Sequence, residues 1–182
     1  MPANELLLRT KRLDLVAATL AHLEAELASP STLGPLLGVC IPPGWPPGEH
    51  DPHALEFFHA QLKAGGPDHV GWYTWYAITR NSHGQRESLV ACAGYLGPPS
   101  EGTAEVGYSV VPSARRRGYA TEIVAALVGH AFAESSVHQV IAHTSDANAA
   151  STQVLLRCGF ERVGHGSEPE SVQYRKKRTP YT

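Results

Sequence analysis

The sequence predicts an α/β domain with a mixed, mostly antiparallel sheet flanked by helices. Three observations carry this. The middle of the chain holds three runs rich in β-branched and aromatic residues, VGWYTWYAITR, LVACAGYLG and TAEVGYSVV, separated by the turn-like segments NSHGQRE and PPSEG. After them, helical and extended patterns alternate up to a final pair of extended segments. No internal repeat and no linker divides the 182 residues, so a single domain, 1–182, is expected.

Taken in order, residues 6–16 alternate Leu13 and Leu15 with Arg12 and Asp14, a period of two that predicts a strand. In 19–28 the spacing of Leu20, Leu23 and Leu27 predicts a helix, with Thr19 as N-cap and His22 and Glu26 on its polar side. Residues 30–52 are rich in breakers and read as a loop or cover; five prolines and two glycines crowd into 42–52. A short helix follows over about 53–64, carrying Leu55, Phe58 and Leu62. The three strand-like runs then suggest an antiparallel meander. Beyond PSARRRG, positions Val124, Leu127, Val128, Ala131 and Phe132 repeat at helical spacing. HQVIAHT (138–144) reads as a strand. A helix over about 147–158 has Ser145 and Asp146 as caps and Gly159 as its stop. FERVGH and SVQYRKKR complete the order as a closing hairpin.

Composition narrows function. The net charge of −2 argues against a general nucleic-acid binder. The N-terminus lacks a signal-peptide pattern, and no run approaches about 18 apolar residues. A cytoplasmic protein without membrane or nucleic-acid partners is expected. Cys40, Cys92 and Cys158 are scattered among small and apolar neighbours and read as buried thiols. His50, His53 and His59 lack metal-ligand spacing, so no metal is expected.

The turn Arg115-Arg116-Arg117-Gly118-Tyr119-Ala120 opens the long helix. The first amides of a helix are unpaired and partly positive. A glycine before them lets a ligand approach the main chain, and three arginines add charge, so a diphosphate suits the site. The lysine of a P-loop and the three spaced glycines of a dinucleotide fingerprint are missing.

The turn fits the pattern Gln/Arg-x-x-Gly-x-Gly/Ala and resembles the acetyl-CoA loop of the GNAT superfamily of N-acetyltransferases. DANAASTQVLLRCGFERVG is similar to that family's Asn-x-x-Ser/Ala…Gly-Phe segment. LRTKRLDL resembles the opening of the branch that includes ribosomal-protein serine and alanine acetyltransferases.

The resemblance implies a sheet splayed between its two central parallel strands, with a bulge in the first of them. It implies that Arg115, Arg116, Arg117, Gly118, Tyr119, Ala120 and Thr121 hold the diphosphate of acetyl-CoA. The main chain of Val110 and Val111 would pair with the pantetheine arm, and Asn148 would lie beside it. Asn148 also reads as a helix-start residue satisfying its own backbone.

Transfer to an amine needs a neutral nitrogen, and a lysine-like amine with pKa about 10.4 is neutral in roughly one molecule in 2,500 at pH 7. Glu105 is the candidate base and Ser151 the candidate donor to the departing sulfur. A surface ion pair and plain helix packing are the alternatives for these two. Many relatives carry a tyrosine seven positions after the asparagine; here Leu155 occupies that place and cannot donate.

The expected acceptor is a small amine or a protein N-terminus, met in a ternary complex without an acyl-enzyme. Its site would come from 30–52 and 165–173. Trp45, Trp72, Trp75 and Tyr76 are either an acceptor wall or core, and Glu168 and Glu170 either attract a cation or form a solvated loop. A non-catalytic acyl-CoA sensor and a nucleic-acid module using the basic turns are rival functions. A homodimer is left open.

Overall fold

The fold was described in a computed structural model, for residues 5–48, 50–166 and 168–179. Its center is an eight-stranded sheet in the order β1-β2-β3-β4-β5-β6-β8-β7. The segment expected as one strand over 6–16 is a hairpin. β1 (Leu7–Arg9) and β2 (Leu13–Ala17) pair antiparallel around a turn at Thr10–Arg12. All of β2 is buried, Asp14 included, because its carboxylate gathers Arg9 Nε at 3.1 Å, Arg80 Nη1 at 2.5 Å and Arg86 Nε at 3.4 Å. Burial pushes this carboxyl up, but the hydrogen bonds and charges of Arg80 and Arg9 outweigh it and hold it below the usual value.

α1 (Leu20–Ala28) starts at Thr19 as expected. The Thr19 hydroxyl accepts from the His22 amide, and His22 Nδ1 accepts from the Thr19 amide. The helix has no polar side at His22 and Glu26, which are both buried. The breaker-rich stretch holds α2 (Pro30–Leu37), entered through Ser29 and stopped at left-handed Gly38. Pro35 lies inside this helix and sits in its last turn. A cis Trp45–Pro46 bond follows. α3 (Pro52–Gly65) is capped by Asp51 with proline at its first position.

The meander is present as β3 (Thr74–Arg80), β4 (Arg86–Tyr95) and β5 (Thr103–Val110). α4 (Tyr119–Ala133) crosses over to β6 (Gln139–Ser145), which runs parallel to β5. α5 (Ala149–Arg157) is capped by Asn148 rather than by Ser145 or Asp146: the Asn148 side chain accepts from the Ser151 amide at 3.0 Å. β7 (Glu161–His165) and β8 (Ser171–Lys177) form the closing hairpin. α4 buries Ile123, Val124, Leu127, Val128 and Ala131 against the sheet, while α1 packs against α2 and α3. Among the described residues, no helix is long and apolar enough to cross a membrane.

Candidate active site

β5 and β6 pair for only three residues, Thr103–Glu105 with Gln139–Ile141. Beyond Glu105 the two strands part. In the β4–β5 ladder the Leu96 amide donates to the Glu105 carbonyl and the Val111 amide to the Val90 carbonyl. Antiparallel alternation therefore turns the main-chain groups of Glu105, Gly107, Ser109 and Val111 toward β4, and those of Val106, Tyr108 and Val110 toward the gap. Val111, expected to face a ligand, is thus committed to the sheet. The expected bulge in β5 is not seen: β4 and β5 pair in constant register, and the shifts lie between β3 and β4.

The gap is the middle of a cleft of about 640 Å³. Side chains of β5 alternate between its two mouths. Tyr108 points to α5, where its hydroxyl lies 2.9 Å from Ser151 Oγ. Ser109 points the other way, to Gly48, where an added Cβ would fall 2.3 Å from Ser109 Oγ.

Of residues 115–121 only Arg115 lines this cleft; it turns back and donates from Nε to the Val110 carbonyl at 3.0 Å, while Arg117 and Tyr119 line a separate depression with Arg12. Arg116 is left-handed at φ 59° and Gly118 at φ 79°. For an arginine this conformation is uncommon. Gly118 is the N-cap of α4 and supplies no side-chain acceptor, so the first amides of the helix, at Tyr119, Ala120 and Thr121, are not capped by a side chain.

The N-terminal hairpin holds this entrance in place. Arg12 donates from Nη1 to the Arg117 carbonyl at 2.8 Å and from Nε to Glu122 Oε2 at 2.7 Å, and its guanidinium lies over the Tyr119 ring. Thr10 Oγ1 and the Arg12 amide both donate to Glu122 Oε1. Burial pushes the Glu122 carboxyl up, yet these bonds from Thr10 and Arg12 keep it below its ordinary value. The Thr-x-Arg of the first hairpin and the Glu of the helix's first turn thus form one clamp.

On α5, Asn148 and Ser151 both line the cleft. Leu155 is fully buried. The phenol that α5 lacks comes from β5: Tyr108 also faces the Ser151 carbonyl at 3.3 Å. Burial pushes its hydroxyl up to about 12, against the opposing Ser151 hydrogen bond, so it is protonated at neutral pH.

The opposite mouth is walled by residues far apart in sequence. Glu26 is 3% exposed and accepts from Trp45 Nε1 and Tyr76 OH, each at 2.6 Å, with His50 Nε2 at 3.2 Å from its nearer oxygen. This buried carboxylate ties the proline-rich segment to α1 and β3, which brings Gly48 and His50 to the cleft. Of the two readings of the aromatics, core holds: Trp45, Trp75 and Tyr76 belong to it, and Trp72 packs against it on Tyr95. Phe58, Tyr73 and Tyr95 line the cleft in their place. Thr74 also lines it, and its buried hydroxyl has no hydrogen-bond partner. Glu168 and Glu170 are exposed, and none of the described residues of 165–173 lines the cleft.

Glu105 Oε1 lies 2.6 Å from His143 Nδ1, and His143 rather than Glu105 is among the lining residues. Cys92 lines the cleft too, but it is buried, and burial together with the Glu26 charge pushes its thiol well up. Burial likewise raises the Cys158 thiol. Cys40, expected to be buried, is exposed. Among the described residues no three His, Cys, Asp or Glu side chains gather as metal ligands.

The sequence showed the glycine turn and α5 because each is a local pattern. It did not show Glu26, His143 or Thr74. The one available signal for Glu26 was three donors, Trp45, His50 and Tyr76, that need an acceptor once buried.

Residues 12–161 match the model of the acetyltransferase (GNAT) domain. An uncharacterized N-acetyltransferase, YjdG of Bacillus subtilis (strain 168), is 26% identical over 155 residues, covering 85% of this chain and 89% of its own length. The structure of an acetyltransferase from Agrobacterium tumefaciens superposes with a TM-score of 0.64 at 22% identity, covering 98% of both chains. RimL, a ribosomal L7/L12 α-N-protein acetyltransferase in complex with coenzyme A, superposes with a TM-score of 0.64 at 14% identity, covering 94% of this chain and 98% of its own. The splayed sheet, the uncapped helix entrance and the family match agree, and the chain belongs to the GNAT family of N-acetyltransferases.

Proposed function

We propose that the protein transfers an acetyl group from acetyl-CoA directly to a primary amine, in a small molecule or at a protein N-terminus, within a ternary complex. The observation that carries this is the unpaired edge of β5 leading to the side-chain-free entrance of α4. An edge strand recognises a linear chain of amides, and a helix entrance recognises an anion. One ligand that has both, at opposite ends of a flexible arm, is coenzyme A. Bound there, its acetyl form supplies an activated thioester carbonyl.

The residues then divide the work. The main-chain groups of Tyr108 and the amide of Val110 align the pantetheine arm, the Val110 carbonyl being held by Arg115. The amides of Gly118, Tyr119, Ala120 and Thr121 hold the diphosphate, with Arg115, Arg116 and Arg117 adding charge around it. Asn148 shapes the arm's passage as the cap of α5. Ser151, backed by the protonated Tyr108 phenol, donates to the departing sulfur. The only cysteine in the cleft, Cys92, is held as an inert thiol, which favours direct transfer over an acyl-enzyme. The acceptor enters by the Gly48–His50 mouth.

The test is thiol release from acetyl-CoA with a panel of free amines and N-terminal peptides. Acceptor-dependent release is expected. Tight coenzyme A binding with no acceptor-dependent release would mark a sensor of the same fold instead.

A further inference from the structure

Glu105 and His143 face each other where the two parallel strands begin to part. Glu105 is opposite Ile141 in the last parallel pair, and His143 lies two residues further on the same face of β6. Their 2.6 Å contact fixes the imidazole. A carboxylate at Nδ1 places the ring's proton there and leaves the lone pair on Nε2. Gln173 Nε2 lies 3.2 Å from that nitrogen, where in this tautomer the amide donates to it. The ring is also packed against Gly166, where an added Cβ would fall 2.7 Å from His143 Cδ2. The other charged groups around the ring come from the closing hairpin. Arg175 lies two residues beyond Gln173 on β8, Glu161 and His165 lie on β7, and Glu168 and Glu170 lie in the turn after Gly166.

This arrangement differs from a lone carboxylate base. A free carboxylate titrates near 4.3 and an imidazole near 6.5, roughly two units closer to an amine near 8–10. Proton transfer is best when the two are close. His143 lines the cleft and Glu105 does not, so the imidazole stands between the carboxylate and the open space.

We propose that His143 is the catalytic base and that Glu105 is a positioning residue acting through it. This rests on the acetyl-transfer reading above. An acceptor ammonium first takes the place of the Gln173 amide at His143 Nε2 and gives that nitrogen one proton, which passes to water. The amine lone pair then forms the bond to the thioester carbonyl carbon. The carbon–sulfur bond breaks with its electron pair going to sulfur, and sulfur takes a proton from the Ser151–Tyr108 hydroxyl pair. The nitrogen loses its surplus proton to the freed Nε2, and the hydroxyl pair regains one from water.

The experiment is the pH dependence of kcat/KM for wild type, His143→Gln, His143→Ala with and without added imidazole, and Glu105→Gln, with coenzyme A affinity from calorimetry for each. His143→Gln should lower kcat about 100-fold or more, with coenzyme A affinity within about twofold. Imidazole should restore part of the His143→Ala rate. Glu105→Gln should cost less, about tenfold, and the loss should fall in kcat, with the KM for the amine and coenzyme A affinity little changed. Wild-type kcat in a folded His143→Gln overturns the inference alone. So does a Glu105→Gln loss as deep as that of His143→Ala, without rescue by imidazole. A wild type that binds coenzyme A but acetylates no amine takes down the acetyl-transfer reading and this one together.

Discussion

The entrance of α4, here the α4 mouth, and the Gly48–His50 mouth of the cleft are built in opposite ways. The α4 mouth is made of main chain: a left-handed arginine, a left-handed glycine and a helix with no side-chain cap, held from outside by Arg12. The mouth at Gly48 and His50 is made of side chains hung on one buried carboxylate, Glu26, whose donors come from residues 45, 50 and 76. Main-chain recognition suits a cofactor shared by a whole family. Side-chain recognition is free to vary with the acceptor, and substitutions at the two mouths should have separable effects.

The largest expected effect is on stability, at the Gly48–His50 mouth. Glu26→Ala leaves three buried donors without their acceptor, and should lower unfolding stability by about 3 kcal/mol. Chemical denaturation of the two proteins measures it. Unchanged stability would mean that the segment is held by packing alone. At the other mouth, Gly118→Asp places an anion and a strained left-handed residue at the diphosphate seat, each worth about 1–3 kcal/mol. Coenzyme A affinity should fall about 100-fold while the fold survives. If instead Glu26→Ala weakens coenzyme A as much as Gly118→Asp does, the two mouths are not independent.

A smaller effect is expected from Arg12→Ala, which removes the clamp without touching the ligand. The KM for acetyl-CoA should rise about tenfold, a 1.4 kcal/mol effect, with kcat little changed. The smallest effect is acid lability of the α4 mouth. Glu122 titrates below its ordinary value in the folded protein, so its contribution is complete above about pH 4.3, the unfolded value, and disappears as pH falls through the lower folded one. Asp14 behaves in the same way. Wild type should lose stability in that acid window, and Glu122→Gln should lose less of it across the same range.

The contrast also explains what was legible in the sequence. The glycine turn, the Asn148–Ser151 spacing and the meander are local patterns, set by glycine geometry, helix capping and strand alternation. Glu26 looked like a surface residue because helical spacing alone does not say which helix face another segment will cover. Residues 30–52 looked like loop because prolines at helix starts and in a last turn read as breakers. Asp14 alternated as a surface residue should, and only three arginines from other strands made its burial stable. Glu105 was legible as a carboxylate on the central strand; its partner was not, since the register of β5 with β6 decides that His143 meets it.

The measurement that bears most directly on the central claim compares the binding of coenzyme A with that of pantetheine, which has the amide arm but no diphosphate. If the α4 entrance grips the diphosphate, coenzyme A should bind at least 100-fold more tightly by calorimetry, and Gly118→Asp should erase most of that difference. Equal affinity for the two ligands, or a difference that survives Gly118→Asp in a folded protein, would contradict the account.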